Sequence, residues 1–246
     1  MKCLVIDLGN TNKKIALFDD MNLITAEQHS GFDQEILNGF ISRNPGAGHC
    51  ILSSVVSFPS GIREFLSENF FFLEMNELTP LPVTIRYQTR NSLGSDRVAA
   101  AVAGSARFPG HDVLIINAGT CITYDFINKE KEYLGGGISP GIGMRFRALH
   151  TFTGKLPLIS RGDYPDSELT GDTTDGSIRS GILNGTLAEV EGIGARYRER
   201  WPDLKIIVSG GDHKYFVKRL KISIFAHPNI VLSGLQQILS FNVHKA

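Results

Sequence analysis

The sequence has no excess of either charge, few cysteines and no long apolar run. Its 246 residues include 25 basic and 25 acidic side chains, so there is no excess of positive charge that would attract nucleic acid. The only cysteines, Cys3, Cys50 and Cys121, lack the spacing of a metal site. No apolar run approaches the roughly 20 residues of a membrane span, and a predicted strand begins too early to leave room for a signal peptide. We therefore expect a cytoplasmic protein with reduced thiols, no membrane partner and no nucleic-acid partner.

Two stretches of the sequence repeat one strand–turn–strand pattern. Leu4–Phe18 and Val113–Asp125 each begin with an apolar run, pass a polar residue followed by Gly and Thr, and continue as a second strand. The chain has 42% hydrophobic residues, which is enough for a packed core. The repeat indicates two similar halves that face one cleft. We predict an N-terminal domain over 1–111 and a C-terminal domain over 112–246.

Several other segments have a predictable local structure. The glycine-rich stretch Tyr133–Gly143 indicates either a backbone that approaches a ligand or another chain, or a long flexible loop. Residues 150–170 have weak periodicity and are predicted to form an excursion. The pattern predicts a helix over His213–Leu220 and an edge strand at Asn229–Leu232, before a closing helix over Leu235–Phe241.

The end of the first strand carries a candidate phosphate and metal site. Asp7 closes an apolar strand and is followed by Gly9, Asn10 and Thr11. Glycine lets backbone amides approach a ligand, so this loop can hold phosphate oxygens while Asp7 holds Mg²⁺ directly or through water. Lys14 adds positive charge. The alternative is an ordinary turn that contains Asp, and the loop does not match the Walker motif.

A second candidate site precedes a helix of small residues. Leu93–Arg97 leads into a run of alanines and valines, which places Ser95 or Asp96 at or near the helix N-terminus. One interpretation makes Asp96 a general base, with Arg97 binding an anionic substrate group. The other is a helix cap with a first-turn Asp, worth about 0.5–2 kcal/mol. Taken alone, these residues favour the cap.

The second half of the chain offers matching polar positions. Asn117 occupies the place of Asp7 in the repeated pattern, and Thr120 takes the phosphate-gripping place. Thr174 precedes a long helical pattern as either a cap or a hydroxyl in the cleft. The pair Gly210-Gly211 follows a strand and either receives a flat base on its backbone or forms a turn before a helix.

The order of these motifs resembles the sugar kinase/Hsp70/actin superfamily, and in finer detail the type III pantothenate kinases. The residues that carry the likeness are Asp7–Lys14, Leu93–Arg97, Asn117–Asp125, Gly135–Gly141 and Gly171–Thr174. The resemblance implies an α/β fold of two ribonuclease-H-like domains with mixed five-stranded sheets and flanking helices. ATP would bind in the cleft between the domains.

The resemblance also implies an activity and a set of site residues. It implies an ATP-dependent transfer of phosphate to pantothenate, the first step towards coenzyme A, by a homodimer that uses Mg²⁺ and a monovalent cation (K⁺ or NH₄⁺). By this likeness Asp96 is the catalytic base. The implied ATP-binding residues are Asp7, Leu8, Gly9, Asn10, Thr11, Asn12, Lys13, Lys14 and Thr120. The implied pantothenate-binding residues are Tyr87, Gly94, Ser95, Asp96, Arg97 and Thr174.

One position departs from the family pattern. Where the family usually has an Asp ligand for the monovalent cation, this chain has Asn117, which keeps a carbonyl oxygen but loses the negative charge. We therefore expect a weaker dependence on K⁺ or NH₄⁺. Two alternative functions are a different small-molecule kinase and a catalytically impaired, nucleotide-binding regulatory protein of the same fold.

Overall fold

A computed structural model describes residues 1–159 and 167–245, and these residues group into two compact units. Unit 1 comprises residues 1–107, 130–134 and 229–246, and unit 2 comprises residues 108–129 and 135–228. The chain thus leaves unit 1 after Arg107 and returns to it twice. The domain boundary between 111 and 112 stays a prediction.

Helices and strands are interleaved along both halves of the chain. The first half contains β1 (Lys2–Leu8), β2 (Lys13–Asp19), β3 (Asn22–His29), α1 (Gln34–Arg43), β4 (His49–Ser54), α2 (Ser60–Asn69), β5 (Phe71–Glu74), β6 (Thr84–Ile85) and α3 (Ser95–Arg107). The second half contains β7 (Val113–Ala118), β8 (Cys121–Ile127), β9 (Glu132–Pro140), α4 (Ile142–Thr151), α5 (Thr174–Arg200), β10 (Lys205–Ser209), α6 (His213–Val217), β11 (Phe225–Ala226) and α7 (Ile230–Val243).

Unit 1 is built on a mixed five-stranded sheet with helices on both faces. The strand order is β3-β2-β1-β4-β5, with β1 antiparallel to β2 and parallel to β4. Side chains alternate along a strand, so Cys3 and Val5 of β1 pack with α3 and α7, whereas Leu4 and Ile6 pack with α1 and α2. This alternation explains why β1 is apolar at every position from Cys3 to Ile6.

Helices α3 and α7 approach each other through small residues. A Cβ atom built on Gly234 of α7 would lie 1.8 Å from the carbonyl oxygen of Ala99 in α3. Because real Cβ atoms cannot come so close, the side chain at position 234 has to be hydrogen. The alanine-rich sequence of α3 therefore serves close helix packing beneath the sheet of unit 1.

The second sheet is also mixed and has the strand order β11-β10-β7-β8-β9-β6. Unit 2 contributes β7, β8, β10 and β11, and its core packs these strands against α4, α5 and α6. The short strand β6 pairs with Glu132 and Tyr133 at the start of β9, and these residues all belong to unit 1. The sheet has six strands, one more than the five predicted.

Two local predictions need correction, and one of two open alternatives is excluded. Asn229–Leu232 is not an edge strand, because Ile230 starts α7 and its buried residues Leu232, Leu235 and Leu239 recur with helical spacing. The glycine-rich stretch is not a flexible loop, since most of it forms β9. The helix predicted over His213–Leu220 ends at Val217.

Part of the predicted excursion at 150–170 lies outside the described residues, namely 160–166. Its described parts contain the end of α4 at Thr151 and irregular backbone on either side of the gap. Across 1–159 and 167–245, no helix is both long enough and apolar enough to cross a membrane.

Candidate active site

Asp7 lies at the carboxyl end of β1, in the centre of the unit 1 sheet. Its register partners are Lys14 on β2 and Ser53 on β4. Burial, and after it the nearby carboxylate of Asp96, raises the pKa of Asp7 to about 7. The charge of Lys14 and a hydrogen bond from Ser53 act in the opposite direction. Two partly buried carboxylates therefore lie near enough to influence each other, an arrangement that favours a bound cation.

A chain of hydroxyl groups joins Asp7 to the start of α3. The Ser53 hydroxyl bonds to the Asp7 carboxylate and lies 2.8 Å from the Ser95 hydroxyl. The bond from Ser53 lowers the pKa of Asp7, so it is one that Ser53 donates to the carboxylate. The Ser53 oxygen is then left to accept from the Ser95 hydroxyl. This chain fixes the N-terminus of α3 against the end of the first strand, which sets the position of Asp96.

Asp96 lies in the first turn of α3, as the sequence pattern predicted. Its Oδ1 accepts a hydrogen bond of 2.9 Å from the backbone N–H of Arg97, so the carboxylate is folded back onto the helix N-terminus. A Cβ atom on Gly94 would lie 2.5 Å from the same oxygen. The glycine thus leaves the space that the Asp96 carboxylate occupies.

Arg97 and Tyr87 form a second pair in unit 1. Arg97 is only 7% exposed, and its guanidinium carbon lies 5.9 Å from the centroid of the Tyr87 ring. That distance falls within the range of a cation–π contact. A separate cavity of about 240 Å³ in unit 1 is bordered by Gly94 and Ser95, but not by Tyr87 or Arg97. Of the predicted substrate residues in unit 1, Gly94 and Ser95 therefore border this cavity, whereas Tyr87 and Arg97 contact each other outside its lining.

The loop after β1 is tightly closed. The backbone N–H of Gly9 donates to the carbonyl oxygen of Asn12 at 3.1 Å, and the Lys13 ammonium donates to the carbonyl oxygen of Asn10 at the same distance. Asn10, Thr11 and Asn12 are exposed at the tip, whereas Leu8 is buried. The tip is the part of the loop that can reach a phosphate group.

The corresponding loop of unit 2 joins β7 to β8. Asn117 is half-buried and pairs with Ser209 of β10 and Thr123 of β8, while Thr120 is exposed in the turn. The N–H of Gly141 donates to the carbonyl oxygen of Thr120 at 3.1 Å. A Cβ on Gly141 would lie 2.1 Å from the carbonyl oxygen of Gly119. The start of α4 therefore packs directly on this loop.

Gly210 approaches the same loop from β10. Its φ of +91° lies in the region that favours glycine, and a Cβ there would lie 2.1 Å from the carbonyl oxygen of Ala118. This carbonyl oxygen accepts a hydrogen bond from the N–H of Asp212. The pair Gly210-Gly211 is thus a turn before α6 that also contacts the loop after β7.

Thr174 is the first residue of α5 rather than its cap. The cap is Thr173, whose hydroxyl accepts the N–H of Gly176 at 3.0 Å. Thr174 lines an open cavity of about 860 Å³ in unit 2, together with Arg145 and Ser177. Thr174 therefore does not cap the helix, and it borders a cavity within unit 2. A role for its hydroxyl in the cleft stays a prediction.

The donor set fits Mg²⁺ better than a transition metal. In the described part of the chain, no group of three or more His, Cys, Asp or Glu side chains is arranged to hold a metal ion. Magnesium usually takes one or two carboxylates and completes its shell with water and phosphate oxygens. Asp7 provides one carboxylate. Burial and then the charge of Asp96 raise its pKa, and a divalent cation would neutralise the negative charge that these two carboxylates carry.

Comparison with known proteins supplies the family. The model of the family described as type III pantothenate kinase matches residues 3–196. The chain belongs to the type III pantothenate kinase family. The member from Phocaeicola vulgatus is 42% identical over 241 residues, covering 97% of this chain and 98% of that protein. The member from Cytophaga hutchinsonii is 39% identical over 241 residues, covering 98% and 99%.

Solved structures with low sequence identity share the fold. A Baf-family protein from Campylobacter jejuni superposes with a TM-score of 0.62 at 18% identity, covering 98% of this chain and 99% of that one. A dehydratase activator from Clostridium difficile with bound ADPNP gives 0.55 at 10% identity, covering 100% and 95%. A glucokinase from an Antarctic psychrotroph gives 0.52 at 13% identity, covering 98% and 99%. The predicted family and superfamily fold are confirmed.

Two residues of the site were not named as site residues from the sequence. Ser53 bonds to Asp7, and its only sequence signal was a Ser-Ser pair at the end of an apolar strand. Gly141 contacts the unit 2 loop, and its signal was its place at the end of Gly135–Gly141, one of the segments that carry the family likeness. Both depend on contacts between distant segments, which local patterns do not reveal.

Proposed function

We propose that this protein phosphorylates pantothenate to 4'-phosphopantothenate with ATP, the first step of coenzyme A biosynthesis. The observation that carries the proposal is the family match over residues 3–196. Unit 1 is consistent with it, because Asp96 lies at a helix N-terminus beside Asp7 and its strand-end loop.

The proposed reaction needs one base and a site that positions phosphate. The primary hydroxyl of pantothenate attacks the γ-phosphorus of ATP, the bond from that phosphorus to the β-γ bridging oxygen breaks, and ADP leaves. Asp96 accepts the hydroxyl proton. Phosphoryl transfer depends mostly on positioning and charge neutralisation, so the loop from Asp7 to Lys14 and the Thr120 loop hold the nucleotide. Mg²⁺ at Asp7 would neutralise phosphate charge.

Tyr87, Gly94, Ser95, Arg97 and Thr174 are the proposed pantothenate contacts. The Arg97 guanidinium is the group suited to a carboxylate, and its contact with Tyr87 orients it. Thr174 borders a cavity in unit 2. We further propose that the protein works as a cytoplasmic homodimer that binds neither nucleic acid nor membrane.

An Asp96→Asn variant tests the catalytic assignment. Removing a general base should lower kcat by about 10²–10⁴-fold, while ATP affinity stays close to that of the wild type. The assay follows ADP release and phosphopantothenate with ATP, Mg²⁺, K⁺ and pantothenate, and acetate and sugars serve as control acceptors. Unchanged turnover in the variant would remove Asp96 from this role. Nucleotide binding without any product in the wild type would favour the regulatory alternative.

Asn117 is the proposed neutral ligand for K⁺ or NH₄⁺. An amide oxygen attracts a cation less strongly than a carboxylate does, so activation by K⁺ should be weak in the wild type. An Asn117→Asp variant should reach half-maximal activation at a lower K⁺ concentration. A potassium titration that shows tight, saturable activation of the wild type would contradict this proposal.

A further inference from the structure

The carboxylate of Glu189 collects three hydrogen bonds inside unit 2. Glu189 is on α5, and its Oε1 accepts from the Tyr124 hydroxyl at 2.8 Å and from the Ser139 hydroxyl at 2.6 Å. Its Oε2 accepts from Arg145 of α4. Burial alone would raise the pKa of Glu189, but the bonds from Ser139, Arg145 and Tyr124 bring it below its ordinary value. Glu189 is therefore an ionised hub that links β8, β9, α4 and α5.

Arg145 extends this hub to the turn between β9 and α4. Its side-chain Nε donates to the carbonyl oxygen of Pro140 at 2.8 Å, and its backbone N–H donates to the carbonyl oxygen of Gly141 at 3.0 Å. The guanidinium thus connects Glu189 to the turn at residues 140–141. Since Glu189 holds one end of the guanidinium, it also restricts the position of the other end.

The turn at residues 140–141 contacts the loop between β7 and β8. Gly141 donates its N–H to the carbonyl oxygen of Thr120 and lies too close to Gly119 to carry a side chain. A continuous series of contacts therefore runs from Glu189 through Arg145 and Gly141 to the backbone of Thr120. Each contact in it lies within unit 2.

We propose that Glu189 is a positioning residue for the nucleotide loop at Gly119-Thr120. The proposal rests on the proposed function, which assigns Thr120 to ATP. Glu189 itself is separated from the loop by Arg145 and Gly141, so its effect is on loop geometry rather than on the reacting atoms. Loss of the Glu189 carboxylate leaves the Arg145 guanidinium without its ion-pair partner. The turn at residues 140–141, which holds the loop in place, then becomes less restricted.

The first test measures binding and kinetics of a Glu189→Gln variant. Glutamine keeps the size of the side chain but loses the charge that holds Arg145. We expect the Kd of a non-hydrolysable ATP analogue and the KM for ATP to rise about 10-fold, the effect of roughly one charge-assisted hydrogen bond. The KM for ATP should rise more than the KM for pantothenate, because the series of contacts ends at the nucleotide loop, whereas Arg145 only borders the cavity that Thr174 lines.

Two control variants separate positioning from general packing. Glu191→Gln makes the same change on the same helix, where the Glu191 carboxylate accepts the backbone N–H of Lys221 at 2.8 Å, away from Arg145. Tyr124→Phe removes one bond to Glu189 but keeps the link to Arg145. Both should retain wild-type nucleotide affinity. An equal loss in Tyr124→Phe, or an unchanged Kd in Glu189→Gln, would overturn the proposal.

The second test does not depend on ATP binding or on folding yield. Hydrogen exchange of folded protein should be faster at the amides of Gly119 and Gly141 in Glu189→Gln than in the wild type. Gly141→Ala displaces the same loop directly, so the effects of the two substitutions on exchange should not add. Equal exchange, or additive effects, would overturn the positioning role. If the wild type fails to bind the nucleotide, the proposed function fails, and the exchange result still decides the role of Glu189.

Discussion

A single methyl group at position 94 should impair catalysis by moving Asp96. In the structure, a Cβ atom on Gly94 would lie 2.5 Å from Oδ1 of Asp96 and 3.8 Å from Cγ of Arg97. Non-bonded carbon atoms rest at about 3.5–4.0 Å, and carbon–oxygen pairs only slightly closer, so the carboxylate has to retreat by about 1 Å. That retreat also breaks the bond from the N–H of Arg97 to Oδ1.

The size of the effect follows from this displacement. A misplacement of about 1 Å at a reacting group can cost up to about 10²-fold in rate, so Gly94→Ala should lower kcat by about 10- to 100-fold. Asp96→Asn removes the base entirely and should be at least as severe. ATP affinity should be unchanged, because the methyl group points to Asp96 and not to the Asp7 loop.

The assay is steady-state phosphorylation of pantothenate, with ATP affinity and Tm measured on the same preparations. Gly61→Ala is the matched control, because the nearest atom to its Cβ is the flexible carboxylate of Glu64 at 3.9 Å. We expect the control to keep wild-type kcat. A Gly94→Ala enzyme with wild-type kcat would refute the argument that the position of the Asp96 carboxylate matters.

The remaining predictions concern stability and thiol reactivity. Gly234→Ala forces a methyl group against the backbone of Ala99 and should cost about 1–3 kcal/mol or more, read as a lower Tm. Gly185→Ala, on α5 with open space around its Cβ, should leave Tm unchanged or raise it, and an equal loss in both would contradict the packing argument. Burial raises the pKa of Cys3 to about 11 and that of Cys50 further, so at pH 8 both remain unreactive thiols. Titration of folded protein with a thiol reagent should modify Cys121 alone; rapid reaction of all three would show that the unit 1 sheet is open.

The local sequence predicted the strand–turn–strand pairs well. Leu4–Phe18 became β1 and β2, and Val113–Asp125 became β7 and most of β8, because an alternating or continuous apolar pattern between turn residues is itself local. The start of α3 at Ser95 was predictable for the same reason: small helix-forming residues follow a polar first turn.

Contacts between distant segments could not be predicted from the sequence. Whether Asp7 would meet Ser53 depends on β4 pairing with β1, and that pairing is a property of the whole sheet. The β-branched residues Ile230 and Val231 look like a strand, but burial against α3 and β1 stabilises a helix instead. The positions of Tyr87 and Arg97 relative to each other likewise depend on tertiary packing. The predicted roles of the site residues stay predictions until the variants are measured.

The return of the chain to unit 1 at α7 has a consequence for protein synthesis. Leu232, Leu235, Ile238 and Leu239 of this helix complete the core that Cys3 and Val5 begin, yet they are translated after the whole of unit 2. Helix α3 covers part of the same apolar face, but a nascent chain on the ribosome leaves the rest of that face exposed until residues 229–245 emerge. The core of unit 2, as far as the structure describes it, contains no residue after 228, so this unit can fold first even though it is made second. A premature stop before α7 should accordingly yield aggregation-prone protein rather than a shortened enzyme.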